Sequence, residues 1–389
     1  MQPIKKVTIV YHYLAHYRLP IFQELMKDSE IEYTILSGVD SEIDIKKVDT
    51  SIAGNPVDKG GLRWFFLKNR WLLKKRFLWQ SGLLQRIMKG DSQVYIFLGS
   101  PYHISTWFGV MLARLKGKKV YYWMHGIYSD SISMMDYVKI FAFYRGANGF
   151  FLYGHRAEDK LKKYFSNKAI HVIYNSLDYA SALQLRRHIT SKEIMGFRSL
   201  FFANKNLPIV VFIGRLNSVK RIDYLIEAQA ILRDKHKRPF FNICVIGDGE
   251  ERAGLEKLSE EKGTRENIFF AGAVYDEQKN SEYIQYADLC VTPGEVGLTA
   301  IHALSYGTPV ISHNNLNIQM PEVEAIRIGE TGSLFEYNSI EDLATVIETW
   351  LTKYPVKSEV IIRNCYNVID NNYNPEIQAK IFNNVLRSA

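Results

Sequence analysis

Short apolar runs rich in β-branched residues alternate along this chain with longer stretches whose apolar positions recur at helical spacing. Segments 6–11 (KVTIVY), 31–37, 93–99, 119–126, 149–154 and 169–175 carry the first pattern and are expected as strands. Segments 104–116, 131–145 and 156–165 carry the second and are expected as helices. A strand–helix–strand alternation whose strands are apolar on both faces predicts a parallel, doubly wound sheet covered on each side.

The pattern breaks after Asn175-Ser176-Leu177-Asp178, where a polar stretch (180–207) bearing Arg and Lys leads to Pro208. It resumes with strands expected at 209–214, 241–247, 267–272, 287–294 and 308–313, and helices at 220–233, 250–262 and 298–306. Two separate α/β sheets follow, assigned to domains 1–190 and 191–374. The length of 389 residues agrees, since it exceeds what one core usually serves. Segments 339–352, 356–368 and 375–387 read as closing helices with no strand left to cover, and the last (375–389) is expected to cross back to the first domain.

Composition narrows the class. Hydrophobic residues at 47% support globular cores, and the three cysteines (Cys244, Cys290, Cys365) are too few and too scattered for a disulfide framework. A reducing, cytoplasmic setting is expected. No segment reaches the roughly 18 apolar residues of a membrane span, so the chain is read as soluble or peripheral. Charge is lopsided: residues 1–190 hold 28 Lys+Arg against 15 Asp+Glu, a net of +13, whereas the remainder holds 21 against 26, a net of −5. The first half is therefore expected to meet an anionic partner.

Candidate chemistry concentrates at the ends of the later strands. Gly214-Arg215-Leu216 closes one of them and Lys220 follows, a pair of cations placed for a diphosphate or, alternatively, one salt-bridged Arg and one solvated Lys. Gly247-Asp248-Gly249-Glu250 makes a second turn, weak evidence by itself because tight turns need glycine for conformational reasons. Pro293-Gly294-Glu295-Val296-Gly297-Leu298-Thr299 makes a third, running into a helix whose N-terminal N–H groups suit a phosphate without metal. Three such turns on one sheet edge favour a nucleotide-diphosphate site.

These residues, with Ala287-Asp288 and Gly307-Thr308-Pro309-Val310, resemble in order and spacing the retaining GT-B glycosyltransferases of family four, glycosyl transferases group 1. The resemblance is strong over roughly 200–330 and loose in the N-terminal half, through Tyr17-Arg18-Leu19-Pro20 and the Asn175…Asp178 hinge. It implies two Rossmann-like domains facing across a cleft, with Arg215 and Lys220 gripping the donor diphosphate and stabilising the departing charge. Gly214, Gly247, Gly249, Gly294, Glu295, Val296, Gly297, Leu298, Thr299 and His302 are then the donor-binding set. The family's pair of glutamates eight positions apart is altered: the second position holds His302, leaving Gly294, or Glu295 with a one-residue slip, at the first. His302 is read either as a ribose partner or as a packed helix residue. No D-x-D metal motif is evident, and neither metal nor cofactor is expected beyond the nucleotide-sugar substrate.

In the first half, His125-Gly126 ends a strand where the family places a histidine facing the reaction centre, although a strand-end histidine satisfied by its neighbours would look the same. His12, His16 and Arg18 are assigned to the acceptor side, in a loop lacking the glycine pair common in the family. Segment 62–89 holds eight Lys/Arg, no acid, and Trp64, Trp71 and Trp79. It fits an element on an anionic lipid surface, a single-stranded nucleic-acid surface (the poorer match), or an ordinary amphipathic helix pair. The function expected is sugar transfer, hexosyl in type, from a nucleotide donor to a lipid-linked or surface glycan, such as lipopolysaccharide or capsule, with retention. A nucleotide-sugar epimerase and a non-catalytic nucleotide- or glycan-binding protein are the alternatives.

Overall fold

The computed structural model describes residues 4–41, 45–127 and 133–389, with the backbone alone at Ser191. Positions 131 and 132 of the helix expected at 131–145 lie outside the described residues; the helix itself spans Met134–Arg145, capped by the Ser133 side chain.

The chain divides into two compact units, Met1–Asp178 with Asn374–Ala389, and Tyr179–Tyr373. The division falls after Asp178 rather than at Thr190, because the intervening residues are drawn into the second unit. Arg186, for example, bonds the Ser305 carbonyl at 2.8 Å and pairs with Asp370.

The first unit is built on seven parallel strands: β1 (Lys5–Tyr13), β2 (Ile31–Gly38), β3 (Trp64–Phe66), then, after the hairpin β4 (Lys68–Leu72) and β5 (Phe77–Ser81), β6 (Val94–Leu98), β7 (Lys119–Met124), β8 (Gly149–Leu152) and β9 (Ala169–Val172). Their order is β3-β2-β1-β6-β7-β8-β9, and β4–β5 forms a separate antiparallel pair. Period-two alternation sorts the side chains. Val7, Ile9, Tyr11, Tyr121 and Trp123 join one core, and Val10, Tyr122 and Met124 the other. Helix Pro375–Ser388 covers the first of these through Ala379, Phe382 and Leu386, fixed by Tyr33 Oη donating to Asn383 Oδ1 at 2.5 Å.

The second unit carries β10 (Ile209–Ile213), β11 (Asn242–Ile246), β12 (Ile268–Gly272), β13 (Leu289–Val291), β14 (Val310–His313) and β15 (Gly332–Phe335). Their order, β12-β11-β10-β13-β14-β15, is the doubly wound arrangement whose reversal lies between β10 and β13. All pairings are parallel. Three expectations change. The sheet has an edge strand, β15, beyond the last one expected. The polar stretch 180–207 contains helices Tyr179–Leu185 and Ser191–Phe201, the latter started by a Thr190–Glu193 capping box. Lys220 sits in a 3-10 turn, Ser218–Lys220, with Arg221 left-handed (φ 47°) before the helix proper begins at Ile222.

Candidate donor site

Parallel strands place all their C-terminal turns on one edge, and the turns after β10, β11 and β13 flank the reversal point where open α/β sheets bind ligands. The turns are packed backbone against backbone. A Cβ on Gly247 would fall 1.8 Å from the Gly214 carbonyl oxygen, and one on Gly294 1.9 Å from that of Val219, so neither position tolerates a side chain. Hydrogen bonds close the same gaps: Leu216 N–H to the Asp248 carbonyl at 3.0 Å and Gly294 N–H to the Lys220 carbonyl at 3.0 Å. Gly249 completes the second turn, and Gly297 (φ 51°) starts helix Leu298–Ser305.

Side chains lock the third turn. Thr299 Oγ1 donates to the Ile213 carbonyl at 3.0 Å, tying the helix start to the end of β10. Val296 is buried and its N–H donates to Gln319 Oε1 at 3.0 Å, while Gln319 Nε2 donates to Ser312 Oγ at 2.8 Å. Lys220, half-buried, donates from Nζ to the Glu295 carbonyl at 2.5 Å. Burial lowers its pKa, opposed by the carboxylates of Glu295 and the fully buried Glu322. Arg215 is exposed on the first turn, and Leu298 is half-buried in the first turn of the helix. Two cations, a helix N-terminus and closely packed turn backbones thus meet on one edge, the components of an anion site.

His302 lies one turn further along that helix, half-buried, with Nε2 2.9 Å from Glu277 Oε1. The same oxygen accepts from Tyr306 Oη at 2.6 Å. Burial works against ionisation of Glu277, but the bonds from His302 and Tyr306 prevail and leave its pKa lowered. One imidazole nitrogen is therefore engaged within the protein, and the other is what remains for a ligand.

A model of the family described as glycosyl transferases group 1 matches residues 198–368, the stretch that contains all three turns. An uncharacterised glycosyltransferase of Methanocaldococcus jannaschii is 29% identical over 157 residues, which is 40% of this chain and 36% of that relative's length. Among solved structures, HepE of Anabaena in complex with UDP superposes with a TM-score of 0.73 at 15% identity, covering 99% of this chain and 100% of that one. The lipopolysaccharide outer core galactosyltransferase WaaB gives 0.70 at 16% identity, over 98% and 99%. The two-domain parallel α/β architecture is therefore the GT-B fold.

Outside the matched stretch, the first unit gathers three of its four candidates at the C-terminal end of its own sheet. Arg18 is buried (4% exposed), donates from Nη1 to Asn175 Oδ1 at 2.6 Å and lies over the Tyr153 and Trp123 rings at 4.9 and 5.7 Å. His125 follows directly after β7, with its ring 4.8 Å from Tyr153. It keeps an open face, yet the protein crowded behind it, and then the Arg18 charge, draw its pKa down to about 4. His12, half-buried beside His103 (5.7 Å), is lowered to about 3 by burial, His103 and Arg18 in turn. His16 stands apart, exposed in a 3-10 turn.

The basic aromatic segment is not a helix pair. It is β3, the β4–β5 hairpin and helix Leu83–Lys89. Trp64 is core, its Nε1 donating to Ser37 Oγ at 2.8 Å, and Trp79 packs on Phe108. The exposed tip is Leu72, Leu73, Lys74, Lys75 and Arg76. Among the described residues no helix is long and apolar enough to cross a membrane.

Proposed function

We propose that this chain is a glycosyltransferase that moves a sugar from a nucleotide-diphosphate donor to a lipid-linked or growing surface glycan, without metal and with retention of anomeric configuration. The observation that carries the reading is the packing of three glycine turns around Lys220 at the reversal point of the second sheet, inside the matched domain. As the glycosidic bond to the diphosphate breaks, negative charge grows on the leaving oxygen. Arg215, Lys220 and the first N–H groups of helix Leu298–Ser305 stand on the edge that receives it, and the fixed backbone donors cost no reorganisation at that moment. Lys220 exchanges its Glu295 carbonyl for a phosphate oxygen. HepE was solved with UDP and WaaB is a lipopolysaccharide galactosyltransferase, which supports the donor and acceptor classes. Retention rests on the resemblance of the turn motifs. His125 is assigned to the donor sugar, and His12 and Arg18 to the acceptor side, with His12 neutral throughout the physiological range.

The membrane enters through the hairpin tip. Leu72 and Leu73 flanked by three cations, with exposed Phe108 packed on Trp79 of the same hairpin, fit an anionic lipid surface.

Incubating the protein with a panel of nucleotide sugars under NMR tests the whole reading. Transfer or slow hydrolysis with the donor's anomeric configuration kept supports it. Interconversion of the sugars would assign an epimerase, and binding of every donor without turnover a non-catalytic module; either result removes the proposal.

A further inference from the structure

The amino edge of the second sheet, opposite the glycine turns, holds a cavity of about 720 Å³ where Ala287 and Asp288 lead into β13. Cavities of this size with an apolar lining and a few convergent polar groups are the usual form of small-molecule sites. Ile189, Ile194, Val356 and Ile362 supply apolar wall, and the rings of Tyr286 and Tyr366 supply flat surface.

Most charges around it are already matched. Arg186 pairs with Asp370 at 2.8 Å, Arg187 with Glu193 at 3.2 Å, and Asp288 with Arg198 at 2.6 Å. Two lining cations keep donors to spare, Lys357 within the field of the Asp288 carboxylate and Arg363 at the open side. Lys357 Nζ donates to the Gln285 carbonyl and to Thr308 Oγ1, each at 2.8 Å, and keeps a third proton. Arg363 is exposed and has no hydrogen bond or ion pair among the described residues. The carboxylate of Glu359, one turn before Arg363, stands against these two. An apolar chamber with flat walls and a residual positive end selects a molecule with the complementary halves.

We propose that this cavity is a second ligand site, separate from the donor site, for a small aromatic anion whose ring lies among Ile189, Ile362 and Tyr366 and whose carboxylate or phosphate reaches Lys357 and Arg363. It belongs wholly to the second unit and shares no lining residue with the glycine turns.

Calorimetric titration of the full chain with 1-naphthyl phosphate, with and without saturating UDP, is the test. The expected result is saturable binding at one site, unchanged by UDP and weakened by about tenfold or more in Arg363→Glu, an exposed substitution whose fold a melting curve verifies. Inorganic phosphate and 1-naphthol, each carrying half of the recognised chemistry, should bind more weakly by a similar factor. Absence of saturable binding, displacement by UDP, or an affinity indifferent to Arg363→Glu in a folded variant would each overturn the proposal.

Discussion

Lys220 and Arg215 come from one turn but sit differently: the lysine is half-buried against the Glu295 carbonyl, the arginine open to solvent. If both act on the leaving diphosphate, Arg215→Ala and Lys220→Ala should each lose about 2–4 kcal/mol of transition-state stabilisation, seen mainly in kcat. Steady-state kinetics decide it, and wild-type turnover in both folded variants would contradict the assignment. The lysine adds a pH signature. Burial lowers its pKa, so the cation that binds phosphate is present at low pH and lost as pH rises through that lowered value. Activity should therefore fall on the alkaline side before the ordinary lysine range, and Lys220→Arg should extend the plateau, since guanidinium keeps its charge; identical profiles would exclude Lys220 as the titrating group. Arg215, Lys220 and the turn glycines were legible because they lie in short motifs beside strands. Gln319, Glu322 and Glu277 were not, since each reaches the site from a segment distant in sequence and carries no local signature.

Elements were legible where hydrophobic period and length agreed, as in β10, β11 and helix Leu298–Ser305. They were lost where another rule took over. β15 spans only Gly332–Phe335 and is half polar, too short for alternation to show. Helix Ser191–Phe201 hides in a charged stretch because its inward residues include Arg198, paired with Asp288. Segment 62–89 offered cations and tryptophans at spacings that fit a helix as well as a strand, and the β2–β3 pairing turns Trp64, and the β4–β5 pairing Trp79, toward neighbours, leaving Leu72 to Arg76 outermost. The proposed lipid contact is then assigned to this tip. Lys74→Gln, Lys75→Gln and Arg76→Gln together should release the protein from anionic vesicles and reduce the salt sensitivity of binding, each cation contributing about 1 kcal/mol near the surface. Transfer to a soluble acceptor analogue should hardly change. Sedimentation of the folded triple variant with anionic vesicles at wild-type levels would remove the membrane from the account.

For the molecule as a whole, two compact units, each built on its own sheet, imply two unfolding transitions, and one residue distinguishes them. Asp288, 4% exposed, accepts from Arg198 Nη2 at 2.6 Å and from the Ile209 N–H at 2.8 Å, joining helix Ser191–Phe201 to the start of β10 and β13. Burial raises its pKa and the Arg198 charge opposes that. Asp288→Ala strands a buried guanidinium and an N–H, so the second unit should lose roughly 3–5 kcal/mol while the first stays in place, a shift of one denaturant transition only. Movement of both transitions, or of neither, would show that this pair does not anchor the second unit alone. The central claim is that the second unit holds a nucleoside diphosphate with its own cations and helix N-terminus. The most direct measurement is calorimetric titration of the intact chain with UDP in excess chelator, beside the Arg215→Ala, Lys220→Ala double variant. The account predicts saturable binding by the wild-type chain without metal and its loss, by about two orders of magnitude, in the folded double variant. Binding that appears only on adding magnesium or manganese, or that survives the double substitution, would contradict it.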